Sequence, residues 1–194
     1  MISSRSVLVT GLAVACGLLL AYSIVGAQEP SYPLLGKAAP GFSLDLAGGG
    51  KMNLADHKGK DIVVLDFWAT WCPPCRTLMP IIVDVTDKYK SKGVVFYALD
   101  IRESPEAIKA FQEKTALKFT VALDTDGKVS NDYGVDSIPM SLIIDKEGVI
   151  QAAHIGLAPD ARERLTKELD TLVAGKSLIA PEKKPEEKKQ PEKK

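Results

Sequence analysis

Cys72 and Cys75 stand three positions apart, with Pro73 and Pro74 between them. A thiolate is both a good nucleophile and a good leaving group, so a C-x-x-C pair suits thiol–disulfide exchange. Closing so short a loop would constrain the unfolded chain little, which argues against a purely structural staple. A zinc half-site would need a second C-x-x-C or a nearby histidine pair, and the sequence offers neither. The remaining cysteine, Cys16, lies in an apolar N-terminal segment. Upstream of the pair, Asp66 interrupts an apolar run, where an unpaired carboxylate is costly and its pKa rises. Asp66 is therefore a candidate proton acceptor for Cys75; the plain alternative is an edge position from which it reaches water. Trp68 reads as core, and Trp71 as a partly exposed apolar rim for a substrate chain. His57 and His154 are far apart in sequence, and each reads as a surface or satisfied histidine.

The elements around the pair must hold it at a strand-to-helix junction. Ile62–Trp68 is nearly all apolar and rich in β-branched and aromatic residues, as in a strand buried on both faces. Pro73 and Pro74 suit the first turn of a helix, where amides lack partners, so Cys72 falls at the N-cap. An N-cap sulfur can accept from the second and third helical amides, but Pro74 has none, which leaves Cys75 N–H as the donor. Cys72 is thus expected to be the exposed, attacking sulfur, its pKa lowered only modestly, with Cys75 a turn inside as the resolving one. A weakly stabilised thiolate means a weakly stabilised reduced form, hence a reductant.

The helix should run from Pro74 to about Lys90, with Leu78, Ile81, Ile82 and Val85 inward. Phe42–Leu46 and Lys51–Leu54 around three glycines read as a hairpin. Val94–Leu99 is a second buried strand, and Ser104-Pro105-Glu106 opens a helix to about Thr115. A short strand at Thr120–Leu123 and a short helix at Val129–Tyr133 follow. Ser141–Ile144 and Val149–Ile155 form a hairpin, and Asp160–Ala174 a closing amphipathic helix. Strands alternating with helices predict a mixed α/β sheet.

The chain has 194 residues, 45% of them hydrophobic, with 25 basic and 25 acidic side chains, a balance that argues against nucleic-acid binding. Charge is uneven. The first 27 residues hold only Arg5, and Pro181–Lys194 holds six lysines and four glutamates. Arg5, the uncharged Ser6–Ala27 run and the small residues Val25-Gly26-Ala27 read as an export segment. The run is also about the 20 residues that span a bilayer, so a cleaved signal peptide and a retained inner-membrane anchor both stay open. The expected organisation is export segment 1–27, linker 28–35, folded domain 36–175 and a disordered Lys/Glu/Pro tail 176–194. Either way the body is expected in the periplasm or another extracytoplasmic space.

Phe67-Trp68-Ala69-Thr70-Trp71-Cys72-Pro73-Pro74-Cys75 resembles the active-site segment of thioredoxin-like proteins of the TlpA/ResA type. Tyr133-Gly134-Val135, Ser137-Ile138-Pro139 and Leu142-Ile143-Ile144-Asp145 match a second motif of that family, and the likeness spans about residues 36–175. It implies a thioredoxin-like fold with an N-terminal β-hairpin and a TlpA/ResA-type extra strand and helix near Leu123–Gly127. It also implies that Pro139 is cis and faces the cysteines, so that Ile138 offers its backbone to an extended substrate beside Trp71 and Pro73. Leu78 stands where the cytochrome-c-maturation branch carries a glutamate, which weakens that role against envelope redox homeostasis. Asp66 is of the thioredoxin kind, where many TlpA/ResA-like proteins have asparagine, and Met140 stands where threonine is commoner.

The resulting expectation is an exported thiol–disulfide oxidoreductase that reduces protein disulfides by cycling Cys72 and Cys75 between dithiol and disulfide. It needs an upstream electron donor, and neither cofactor nor metal is implied. Two alternatives stand beside it. A peroxiredoxin-like peroxide reductase would want a threonine or serine three residues before its cysteine, where this chain has Ala69. A copper(I) chaperone would use the two thiolates together with a further ligand.

Overall fold

A computed structural model describes residues 32–179; the export segment, Cys16, the first linker residues and nearly all of the tail lie outside them. Strands β1 (Ser43–Asp45) and β2 (Lys51–Asn53) form an antiparallel hairpin, followed by a 3₁₀ turn at Leu54–His57. Then come β3 (Ile62–Trp68), α1 (Pro73–Tyr89), β4 (Val94–Ile101), α2 (Pro105–Thr115) and β5 (Val121–Asp124). The chain continues through α3 (Lys128–Asp132), β6 (Met140–Ile144), β7 (Ile150–Ile155) and α4 (Ala161–Val173).

The five-stranded sheet has the order β5-β4-β3-β6-β7. β3, β4 and β5 are mutually parallel, whereas β6 is antiparallel to β3 and β7 to β6. This is an α/β thioredoxin fold with an N-terminal hairpin, and β5, reached through α2, is the extra strand that the family resemblance implied. β3 lies at the centre, and all seven of its residues are buried. Side chains alternate across a strand. Val63, Leu65 and Phe67 therefore pack with Met52, Tyr133 and Met140 on one face. Ile62, Val64 and Trp68 turn to the other, where Val64 meets Leu78 and Ile82 of α1 and Leu165 and Leu169 of α4. Trp68 packs there with Cys72, Cys75, Met79 and Ile108.

The helices end as local chemistry dictates. Ser104 Oγ caps α2 by accepting from Ala107 N–H. α1 runs through Pro80, whose ring is on the exposed side. Met79 is a fully buried contact of α1 that the apolar periodicity missed, while Ile81 is only half-buried.

Two boundaries move outward from the sequence expectation. Tyr32, Leu34 and Leu35, expected in the linker, pack against the core, and Tyr32 O–H donates to the Tyr133 carbonyl at 2.7 Å. At the other end Lys176–Ile179 is not free tail. Ser177 Oγ and Leu178 N–H both donate to Gln151 Oε1 at 2.9 Å, and Leu178 packs on the α1–α4 side. The physical reason is the same at both ends: a segment that buries apolar side chains against the core while donating to an acceptor there, the Tyr133 carbonyl or Gln151 Oε1, gains burial and hydrogen bonds together. Among the described residues no helix is long and apolar enough to cross a membrane.

Gln151 also donates to Asp145 Oδ2 at 2.6 Å, so one side chain ties the β6–β7 turn to the C-terminal segment. Gln151→Ala should destabilise the domain by about 2 kcal/mol in denaturant titration, at roughly 1 kcal/mol per lost bond less partial replacement by water. It should also speed hydrogen exchange at the Leu178 amide. An unchanged exchange rate there would show that the segment is held by something else.

Candidate active site

Cys72 and Cys75 are joined by a disulfide, with an S–S distance of 2.05 Å and Cα atoms 5.3 Å apart. Cys72 is the N-cap of α1, with extended backbone, and Pro73 and Pro74 fill the first helical positions. Cys75 N–H donates to Cys72 Sγ at 3.3 Å. The expected exposure of Cys72 is not observed: 3% of the residue is accessible, against 0% for Cys75. Packing against Trp68, Met79 and Ile138 covers it, although the order of access, Cys72 before Cys75, is as expected.

The Ile138–Pro139 peptide bond is cis. The carbonyl oxygen of Ile138 lies 3.9 Å from Cys72 Sγ, so this backbone borders the disulfide. Around it the surface is apolar. Trp71 is 65% exposed, and Pro73 is exposed as well. Ile155 is also 65% exposed and Leu157 41%. Ile155 pairs with Met140, and Gly156 N–H donates to the Pro139 carbonyl at 2.8 Å, which sets this end of β7 beside the cis-proline. Sequence patterning did not single out Ile155 or Leu157, because an alternating strand end looks the same whether its outer face meets water or a partner.

The loop that carries Cys72 is clamped from β4. Thr70 gives its N–H to Glu103 Oε2 and its hydroxyl to Oε1, each at 2.6 Å. Arg102, in the left-handed region at φ 63°, turns the chain so that Glu103 faces back to that loop, and Glu103 N–H donates to Asp100 Oδ1 at 3.0 Å. Burial, and then the neighbouring Glu103 carboxylate, raise the Asp100 carboxyl well above the usual carboxylate range. The sequence signal for this clamp was only a polar run after a buried strand, which does not specify a contact with Thr70.

Asp66 is fully buried in the middle of the central strand, which removes the edge alternative. Its neighbours in strand parity, Val64 and Trp68, face α1, so Asp66 faces the helix that bears Cys75. Oδ1 accepts from Ser141 Oγ at 2.6 Å, and Oδ2 has no hydrogen-bond partner among the described residues. Burial pushes the carboxyl up to about 7, against a smaller lowering by the Ser141 hydroxyl. Such a group exchanges protons near neutrality.

The two histidines are separate and satisfied, as expected: His57 between Asp61 and the Tyr97 hydroxyl, His154 on Glu168 at 2.8 Å. Among the described residues no three His, Cys, Asp or Glu side chains gather as a metal site.

Known proteins give this geometry its context. The model of the AhpC/TSA family matches residues 35–153. The thiol-disulfide oxidoreductase ResA of Bacillus thuringiensis (strain Al Hakam) is 44% identical over 122 residues, covering 63% of this chain and 70% of that protein. The thioredoxin-like protein YneN of Bacillus subtilis (strain 168) is 37% identical over 148 residues, 75% of this chain and 81% of the relative. Among solved structures, a thiol:disulfide interchange protein of the thioredoxin family from Chlorobium tepidum TLS superposes with a TM-score of 0.61 at 26% identity. It covers 70% of this chain and 95% of its own.

The raised Asp66 carboxyl has a consequence for stability. In the unfolded chain it titrates near its ordinary value of 3.8, and in the fold near 7. Between those values the folded protein keeps a proton that the unfolded chain has lost, so stability falls as pH rises through that window. The cost is complete above about pH 7. The oxidised Asp66→Asn variant should therefore melt higher than wild type at pH 8, by an amount on the order of 4 kcal/mol at most. The gap should close toward pH 4. Thermal melts across that range check it, and a pH-independent gap would locate the effect elsewhere.

Proposed function

This chain belongs to the AhpC/TSA family and is a thiol–disulfide oxidoreductase, and from that premise we propose that it is exported and reduces disulfides in other proteins. One observation carries the direction of flow: among the described residues the Cys72 sulfur has a single amide donor, Cys75 N–H at 3.3 Å, because Pro74 before it has no N–H. A thiolate with so little support leaves the reduced form poorly stabilised, and the protein gives electrons readily.

In the working cycle Cys72, as thiolate, attacks one sulfur of the substrate disulfide and displaces the other. Cys75 then gives up its proton to Asp66 and attacks Cys72, forming the intramolecular disulfide and releasing the second substrate thiolate. The exposed Trp71 and Pro73, with Ile138 and the cis Pro139, support an extended polypeptide as substrate, held by apolar contact and by the Ile138 backbone. A disulfide in an oxidising compartment must be re-reduced, so the cycle needs an upstream thiol donor.

Export rests on Arg5 and the uncharged Ser6–Ala27 run, either cleaved or kept as an anchor, with residues 32–179 as the folded body that does the work. Leu78 is buried among apolar neighbours and offers no carboxylate where the cytochrome-c-maturation branch has one, which favours general envelope redox homeostasis. The peroxide-reductase reading lacks a hydroxyl three residues before Cys72, where Ala69 is buried. Among the described residues the copper reading rests on two sulfurs, with no third His, Cys, Asp or Glu gathered beside them.

Cys75→Ser should accumulate substrate proteins as mixed disulfides on Cys72, and Cys72→Ser should trap few; non-reducing electrophoresis reads both. The reduction potential decides direction. A value near the roughly −270 mV of thioredoxin is expected, and one near about −120 mV would make the protein an oxidant. A reporter that is active only in the cytoplasm, fused after Lys194, should stay silent, and activity would refute export.

A further inference from the structure

The proton that Asp66 receives from Cys75 has to leave a fully buried site, and the sheet register shows a way out on one side only. Asp66 lies in a row that crosses all five strands: Val121, Ala98, Asp66, Ser141 and His154 are successive register partners from β5 to β7. Register partners share a face of the sheet, with side chains in reach of one another. Toward β5 the row is apolar and buried. Along β3 the same-face neighbours are Val64 and Trp68, also buried. Toward β7 every member is polar. Ser141 Oγ is hydrogen-bonded to Asp66 Oδ1, and His154, on the edge strand, pairs through Nε2 with Glu168 of α4.

Ser141 and His154 both line a cavity of about 20 Å³ under α1 and α4. Such a volume holds about one water, which needs two to four polar partners. Three stand around it: Ser141, His154 and Arg164, whose buried Nε makes no hydrogen bond among the described residues. The side chains that α1 presents to the cavity are Leu78, Ile81 and Ile82, so the polar route does not branch there.

We propose that Ser141, one water in this cavity and His154 form the path by which the proton leaves Asp66 for solvent while Cys75 resolves the mixed disulfide. The proposal rests on the reading of Asp66 as proton acceptor for Cys75. Cys75 loses its proton to Asp66 and its sulfur bonds to Cys72. The bond between Cys72 and the substrate breaks, and the substrate sulfur takes the electron pair. The Ser141 hydroxyl, which donates to the carboxylate, turns to accept from the protonated acid and donates into the cavity. From the water the proton reaches the imidazole of His154, at the edge of the sheet. Ser141 and His154 touch neither sulfur; they act through Asp66. The charged and titratable groups facing this path are Cys75 on α1, Arg164 and Glu168 on α4, and His154 on β7.

The test is a single-turnover reaction of the reduced protein with an aromatic disulfide such as 5,5′-dithiobis(2-nitrobenzoate). The first coloured thiolate reports attack by Cys72 and the second reports resolution by Cys75. Ser141→Ala and His154→Gln should leave the first release unchanged and slow the second by about tenfold or more near neutral pH, less than the roughly 10²–10⁴-fold of a positioned acid or base because Asp66 itself remains. Ser141→Thr, which keeps the hydroxyl, should restore the rate, and added imidazole should rescue His154→Gln. Asp66→Asn separates the two readings. If it slows resolution while Ser141→Ala and His154→Gln do not, Asp66 is the acceptor and the path is wrong. If Asp66→Asn resolves at the wild-type rate, the acceptor reading fails and the path fails with it. Should Ser141→Ala not fold, His154→Gln with and without imidazole decides alone.

Discussion

The centre of the sheet is a strand from which water is excluded on both sides, yet it carries a carboxyl group. β3 is hydrogen-bonded to β4 on one edge and β6 on the other, and covered above and below, so Asp66 has no access to solvent except through other side chains. That constraint fixes much of the rest. The group must find a partner on a neighbouring strand, which is Ser141, and burial pushes its carboxyl up to about 7, so that it gains and loses a proton near neutrality. The same strand then ends at the loop that bears the cysteines, so the rigidity of the core passes straight to the disulfide.

The disulfide sits where three local rules meet. Two prolines start a helix well but take away amide protons, the N-cap position aims a sulfur at what remains, and a cis peptide brings a carbonyl against it. None of these depends on a charged side chain next to the sulfurs. The nearby carboxylates are kept for other tasks: Glu103 holds the loop through Thr70, and Asp66 lies a layer below.

Much of this was legible in the chain. The strand, the helix start and the N-cap role of Cys72 follow from local propensity, and local propensity survives folding when burial agrees with it. Asp66 stood out because a carboxylate inside an apolar run has few explanations. Its partner did not, because Ser141 lies 75 residues away and only the antiparallel register of β3 and β6 sets them opposite. The Glu103 clamp was hidden for a similar reason, since it needs a left-handed turn at a non-glycine residue, Arg102, which sequence patterns disfavour. The burial of Cys72 is not legible in the chain, because an N-cap residue is usually open, whereas here Ile138, distant in sequence, packs over it.

The segments at the two ends of the described body meet on β7. Gly36 N–H donates to the Ile150 carbonyl, Leu178 N–H donates to Gln151, and a methyl group of Ile179 lies 3.6 Å from where a side chain on Gly36 would begin. These residues are at the first end of β7, whereas Ile155, beside the cis-proline, is at the last. Entry and exit are therefore neighbours, and the disulfide lies at the far end of the strand they share. A leash attached to either segment, of whatever length, would hold the domain by its back and leave its reactive end turned toward whatever diffuses past.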